Sequence, residues 1–103
     1  MHKKPAPNEF AAEMMDAPLA ITVDALNQFG PRAIHSALQR HMRLDWGDMD
    51  EEDAKANLRA AMEGTGRVLS AFRIKAAKDQ PHDLFVLTEA DRSHTTILLP
   101  NEY

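Results

Sequence analysis

Apolar and polar positions change period twice along the chain, and each change marks an element. After Pro18 comes a short apolar run, Leu19-Ala20-Ile21, which reads as an edge strand. Thr22 then suits an N-cap, with Asp24 in the first turn where the helix dipole favours negative charge. A short helix over about 23–29 ends at Gly30, the residue type preferred just past a helix, and Pro31 opens the next at its first position. Ile34, Leu38 and Met42 recur every fourth residue, with Ala37 and His41 in the same stripe, so a helix is predicted over about 31–42. Asp48 or Asp50 can cap a third helix, whose first turn carries Glu51, Glu52 and Asp53. Its apolar stripe is Ala54, Leu58, Ala61 and Met62, and Gly64 and Gly66 end it.

The period then falls to two. In RVLSAFRI, Val68, Ser70, Phe72 and Ile74 face one way and Leu69, Ala71 and Arg73 the other. KAAKDQPHD reads as a polar connector, LFVLT as a strand, EADRSH as a turn and TTILL as a strand stopped by Pro100. Strands in a row with short links predict an antiparallel meander. The fold class is therefore α+β: two or three N-terminal helices packed on a small three- to four-stranded antiparallel sheet. Residues 1–16, with two prolines and no clean period, read as a flexible N-terminal arm, and 17–103 as a single domain.

Composition narrows the functions. The 103 residues suit one domain with a small core, and 44 % hydrophobic with 27 % charged residues is ordinary for a soluble globular chain. The absence of cysteine excludes a disulfide scaffold, a thiolate metal site and a cysteine nucleophile, and fits a reducing cytoplasm. No apolar stretch approaches the roughly 18 residues of a membrane span, and MHKKPAPNEF lacks the apolar run of a signal peptide. The net charge of −4 is unevenly spread. Pro31 to Leu44 holds three arginines and no carboxylate, Asp45 to Glu63 seven carboxylates against Lys55 and Arg59, and Arg67 to Lys78 four cations and no acid. Such banding steers partners and orients them.

Candidate chemistry is sparse. Asp48, Asp50 and Glu52 alternate as in a calcium loop, but the sixth position is Asp53 rather than Gly and the twelfth is Arg59 rather than Glu. No metal, cofactor or catalytic set is assigned. His35 and His41 lie six apart and face different ways on their helix; a half-buried His41 bonding Asp45 or Asp48 is expected. No serine sits in a nucleophile elbow, and Asp91-Arg92-Ser93 reads as a turn. Gly64-Thr65-Gly66 follows a helix rather than opening one, which does not suit a phosphate loop. Trp46 admits two readings: folded over the core at the helix start, or an exposed anchor framed by carboxylates, as at interface hot spots.

At TEADRSHTTILLPNEY, with HMRLDWGDMDEEDAKAN and RVLSAF before it, the chain resembles a family of small bacterial proteins carried on plasmids, integrative elements and phages. Members often bear a label naming a type I restriction endonuclease subunit, although a chain this short cannot contain a methyltransferase or a specificity subunit. The family pattern runs from Thr-Pro-Gly-Ala-Leu through His-x-x-Gly-Asp-Trp-Gly-Asp and Thr-Glu-Ala-Asp-Arg-Ser-x-Thr-Thr to Leu-Leu-Pro-x-Glu-Tyr, and covers about residues 20–103. The chain departs from it at Thr22-Val23-Asp24-Ala25-Leu26, which lacks Pro-Gly, and at Leu44, which replaces a glycine. The resemblance implies a mobile-element origin and carries no catalytic residues.

The expected function is a non-enzymatic protein-binding module that inhibits a bacterial defence nuclease, by anti-CRISPR or anti-restriction action. Its partner surface is expected at Asp45, Trp46, Asp48, Asp50, Glu51, Glu52, Asp91 and Arg92. A nucleic-acid-binding accessory protein using Arg32, Arg40, Arg43, Arg67, Arg73, Lys75 and Lys78, and a small metal-dependent hydrolase using His41, Asp45, Asp48 and the Asp91–Ser93 turn, are the alternatives. A cytoplasmic location, no membrane partner and a monomeric or homodimeric state complete the expectation.

Overall fold

The computed structural model describes residues 17–75 and 80–103. The chain enters through β1 (Leu19–Ile21) and passes into α1 (Val23–Met42) and α2 (Glu51–Glu63). It then builds β2 (Val68–Lys75), β3 (Pro81–Thr88) and β4 (Thr95–Leu98) before a terminal 3-10 turn at Pro100–Glu102. Residues 1–16, read as an arm, lie outside the described residues, as do 76–79 of the connector.

Local signals placed the helix ends well. Thr22 caps α1, its hydroxyl accepting from the Ala25 N–H at 3.2 Å. At Gly30 the backbone leaves the helical region (φ 82, ψ 162), so α1 is two helical segments meeting at Gly30-Pro31. A Cβ there would touch nothing within 4 Å, so glycine serves that position by its positive φ alone. Asp50 caps α2, accepting from the Asp53 N–H at 2.8 Å, and Gly64 ends the helix in the left-handed region.

The sheet order is β1-β4-β3-β2. The meander β2-β3-β4 is antiparallel as expected, but β1 pairs in parallel with β4, so the sheet is mixed and the helices follow a strand. The reason is the route. Leaving β1, the chain crosses the sheet through two helices before β2, and such a crossover allows the returning strands to run in β1's direction. The connector is also shorter than the composition suggested: β2 runs on to Lys75 and β3 starts at Pro81, where a proline at the first strand position costs little.

Both helices cover one sheet face. Ala25, Phe29, Ile34 and Ala37 of α1 pack on Phe72, Leu84, Val86 and Ile97, all buried. A second cluster joins Trp46, Ala60, Ala61 and Val68, with Leu38, Met42, Leu44, Met49 and Ala54 against it. The α2 stripe differs from the expected one in having Asn57 buried on it beside Ala60 and Ala61. At the other end of the sheet Glu102 fastens the terminal turn, its Oε1 accepting from the Leu99 N–H and the Thr22 hydroxyl, both at 2.8 Å.

Candidate functional site

The stretch from Leu44 to Asp53 occupies the outer edge of β2, and its geometry assigns each residue a place. Leu44 takes a left-handed conformation (φ 66) and turns the chain out of α1. The Asp45 carboxylate accepts from Arg40 Nε at 2.8 Å and from the Gly47 N–H at 3.0 Å. The bond from Arg40 holds its pKa below the usual carboxylate value. Residues 46–48 then run beside β2 as a one-bridge strand, Gly47 opposite Ala71. The Ala71 N–H donates to Trp46 O at 3.1 Å, the Asp48 N–H to Ala71 O at 2.7 Å, and the Arg73 N–H to Asp48 Oδ2 at 2.8 Å.

Asn57 completes the cover. Its Nδ2 donates to Leu69 O at 2.6 Å, and its Oδ1 accepts from the Leu69 N–H at 3.1 Å. Leu69, Ala71 and Arg73 are the β2 residues whose backbone faces away from β3, so side chains and loop together close this edge of the sheet. A closed edge protects against unintended strand pairing.

Trp46 is 7 % exposed and stands edge-on to His41, ring centroids 5.8 Å apart. The exposed-anchor reading is thereby corrected: the indole pins the loop to the core, because that is where its apolar area escapes water. Asp48 and Asp50 are exposed but already serve the Arg73 N–H and the α2 cap. Glu51 makes only a surface pair with Lys55 at 3.3 Å, and Glu52 points to solvent beside Asp53.

The other motif residues are also fasteners. Asp91 is exposed and caps its turn, accepting from the Ser93 N–H at 2.9 Å; hydrogen bonds from Ser93 lower its pKa. Arg92 adopts φ 61 and turns inward, donating to Ala60 O and Gly66 O at 2.8 Å and to Glu89 O and Ala90 O at longer range. Its charge lies at the carbonyl end of α2, where the helix dipole favours a cation. Arg92 therefore ties the β3–β4 turn to α2.

His41 is fully buried, and its partners are hydroxyls rather than the expected Asp45 or Asp48. Its Nδ1 lies 2.5 Å from Ser70 Oγ and its Nε2 2.9 Å from Thr88 Oγ1, which in turn lies 2.9 Å from Thr95 Oγ1. Burial, reinforced by the positive charge of Arg92, pulls its pKa from 6.5 down to about 3. The sequence placed His41 near the core but missed Ser70, Thr88 and Thr95. The signal was available in the alternation: each hydroxyl occupies an inward strand position that an apolar residue would otherwise fill.

A pH dependence follows. Unfolded, His41 takes up a proton near pH 6.5; folded, it stays neutral down to about pH 3. Between those values the unfolded chain binds the extra proton, so stability falls as pH drops. The expected loss from this residue between pH 8 and pH 5 is about 2 kcal/mol. Urea unfolding at several pH values checks it, with His41→Gln expected to flatten the profile; a wild-type profile already flat over that range contradicts a buried neutral imidazole.

Several residues named for the two alternatives are engaged elsewhere in the fold. None of Asp45, Asp48 or Asp91 bonds His41, and among the described residues no three His, Asp or Glu converge where a metal ion could be held. Of the cations named for nucleic-acid binding, Arg40, Arg67 and Arg73 each pair with a carboxylate, Asp45, Glu89 and Asp83 respectively, Arg32 and Arg43 are exposed, and Lys78 lies outside the described residues. An open groove of about 520 Å³ at the far end of the sheet is lined by Gln28, Arg73, His82, Asp83 and Pro100 among others. Among the described residues no helix is long and apolar enough to cross a membrane. In comparison with known proteins, the chain matches no family model, no curated protein and no solved structure.

Proposed function

We propose that the protein is a non-enzymatic binding module of mobile-element origin that inhibits a bacterial defence nuclease, its contact surface being the acidic rim at the start of α2. The observation that carries this reading is the fixed placement of that rim. Buried Trp46, the Gly47–Ala71 bridge and the Asp48–Arg73 bond pin the loop at three successive residues, and Asp50 caps the helix that follows. Glu51, Glu52 and Asp53 are thus held exposed on a rigid element at the cost of little ordering on contact. A defence nuclease carries a basic groove built for phosphate, and a preorganised row of carboxylates complements it. The resemblance of the His41–Asp48 and Thr88–Thr96 stretches to mobile-element proteins supports the choice of partner class. In this proposal the contacts come from the carboxylates, with buried Trp46 as the loop's anchor and Arg92 as the clamp of the β3–β4 turn.

The test adds the purified chain to DNA-cleavage reactions run by restriction complexes and RNA-guided nucleases. Wild type is expected to inhibit one of them, less strongly at higher salt. Glu51→Lys/Glu52→Lys is expected to weaken inhibition by at least about tenfold, roughly 1.4 kcal/mol, with an unchanged urea midpoint. Unimpaired cleavage in every reaction, or inhibition indifferent to the double substitution, contradicts the proposal.

A further inference from the structure

The two edges of the sheet are treated differently. On β2 the outward backbone of Leu69 and Ala71, and the Arg73 N–H, are bonded by Asn57, Trp46 and Asp48. On β1 the parallel register (Leu19 opposite Thr95, Ile21 opposite Ile97), with the Thr95 N–H donating to Pro18 O and the Thr22 N–H to Ile97 O, turns Ala20 toward β4. The N–H and C=O of Leu19 and Ile21 therefore point away from the sheet, where no described residue pairs with them.

Apolar exposure gathers at the same edge. Five large hydrophobic residues are exposed among those described, and four of them are Leu19 (46 %), Ile21 (38 %), Val23 (71 %) and Leu26 (42 %). Leu19 and Ile21 share the sheet face of Thr95 and Ile97, so they extend the core layer past the point where α1 covers it. Contiguous apolar area beside open backbone marks an interaction surface.

We infer that β1 is a self-association edge, pairing antiparallel with β1 of a second copy about a twofold axis through Ala20. The register follows from which groups face out. Leu19 and Ile21 flank Ala20 symmetrically, so Leu19 of one copy lies opposite Ile21 of the other, and the two pairs exchange four backbone hydrogen bonds. The axis stands perpendicular to the sheet and brings both apolar patches together on the helix-covered side. Charge permits it: from Ala17 to Gly30 the only ionisable side chain is Asp24, and the acidic rim lies at the opposite edge, beside β2. The product is an eight-stranded sheet that leaves an acidic rim free at each end.

The patch, on the order of a few hundred Å² per copy, is smaller than the roughly 800 Å² per partner of a standard stable interface. A concentration-dependent dimer with a dissociation constant on the order of 10–100 µM is expected. Sedimentation equilibrium of the full chain from micromolar to millimolar concentration reads it, with Ile21→Lys expected to remain monomeric at every concentration. The chain has no cysteine, so Ala20→Cys provides a register-specific check. Across the twofold the two Cα atoms lie about 4.5 Å apart, within disulfide reach. This variant is expected to oxidise to a covalent dimer much faster than an exposed control, Arg59→Cys. A wild-type chain monomeric to millimolar concentration, a dimer indifferent to Ile21→Lys, or Ala20→Cys oxidising no faster than the control overturns the inference. A monomer in which Leu19 and Ile21 amides are protected from exchange overturns it too, and assigns the edge to another segment of the same chain.

Discussion

Trp46→Ala lowers the stability of the domain by about 3–5 kcal/mol. The indole is the largest buried side chain in the second cluster, wedged between the C-terminal half of α1 and the face of α2. Its neighbours on α2 are Ala54, Ala60 and Ala61, whose side chains cannot reach into the space it leaves. Leu38, Met42, Leu44 and Met49 refill the space only in part, and the residual cavity adds its cost to the lost transfer free energy. The edge contact with His41 goes as well. A domain of this size has about 5–15 kcal/mol to lose, so the variant sits near its folding threshold at 37 °C. Urea unfolding followed by far-UV circular dichroism measures it; a midpoint equal to wild type means that Trp46 lies outside the core. A consequence for binding experiments is that loss of a partner in Trp46→Ala reports an unfolded loop. The rim is tested at Glu51 and Glu52 instead, whose side chains make no contact that the fold requires beyond the exposed pair with Lys55.

Gly47→Ala is expected to cost about 4–5 kcal/mol, by a different route. Gly47 has φ 73, where an L residue is strained by about 1–2 kcal/mol. Its missing Cβ would stand 2.3 Å from Ala71 O and 2.5 Å from Phe72 Cδ1. The Ala71 carbonyl cannot retreat, since it belongs to a strand bonded into the sheet, and Phe72 is fully buried. The loop moves instead, releasing two backbone bonds to Ala71 and the carboxylate bond to the Arg73 N–H, each worth about 1 kcal/mol. Trp46 is the adjacent residue, so the same displacement also loosens the indole. The double variant Trp46→Ala/Gly47→Ala is therefore expected to lose less than the sum of the singles, a coupling that a double-mutant cycle in urea reads directly. Additive losses would mean that the bridge and the indole hold the chain independently.

The seam between sequence and structure runs through particular residues. The helix boundaries were legible because their chemistry is local: Thr22 and Asp50 bond N–H groups three positions on, and Gly30, Pro31 and Gly64 stop or start a helix by their own backbone preferences. β2 was legible as a period-two run, and the other strands as short apolar runs between turn and charge signals. The site was less so. The carboxylates from Asp45 to Asp53 could be counted in the sequence, and their exposure is as expected, but the place of Trp46 among them could not be read. An aromatic residue flanked by aspartates has the same local pattern whether its ring turns in or out; the decision belongs to the cavity that Ala60, Ala61 and Val68 leave for it. Asn57 and the hydroxyls around His41 were missed for a related reason. A polar residue on an apolar stripe is explained only by its partner, and these partners are 12, 29 and 47 positions away.

The sequence by itself determined the elements, their order, the α+β class and the banding of charge, because caps, turn residues and alternation act over a few positions. Tertiary structure alone decided that β1 lies parallel to β4, that His41 sits among hydroxyls and that Trp46 anchors a loop closing one sheet edge while no described residue covers the other. Those outcomes depend on which distant surfaces meet, and the free energy of burying apolar area and pairing backbone groups is settled only when they do.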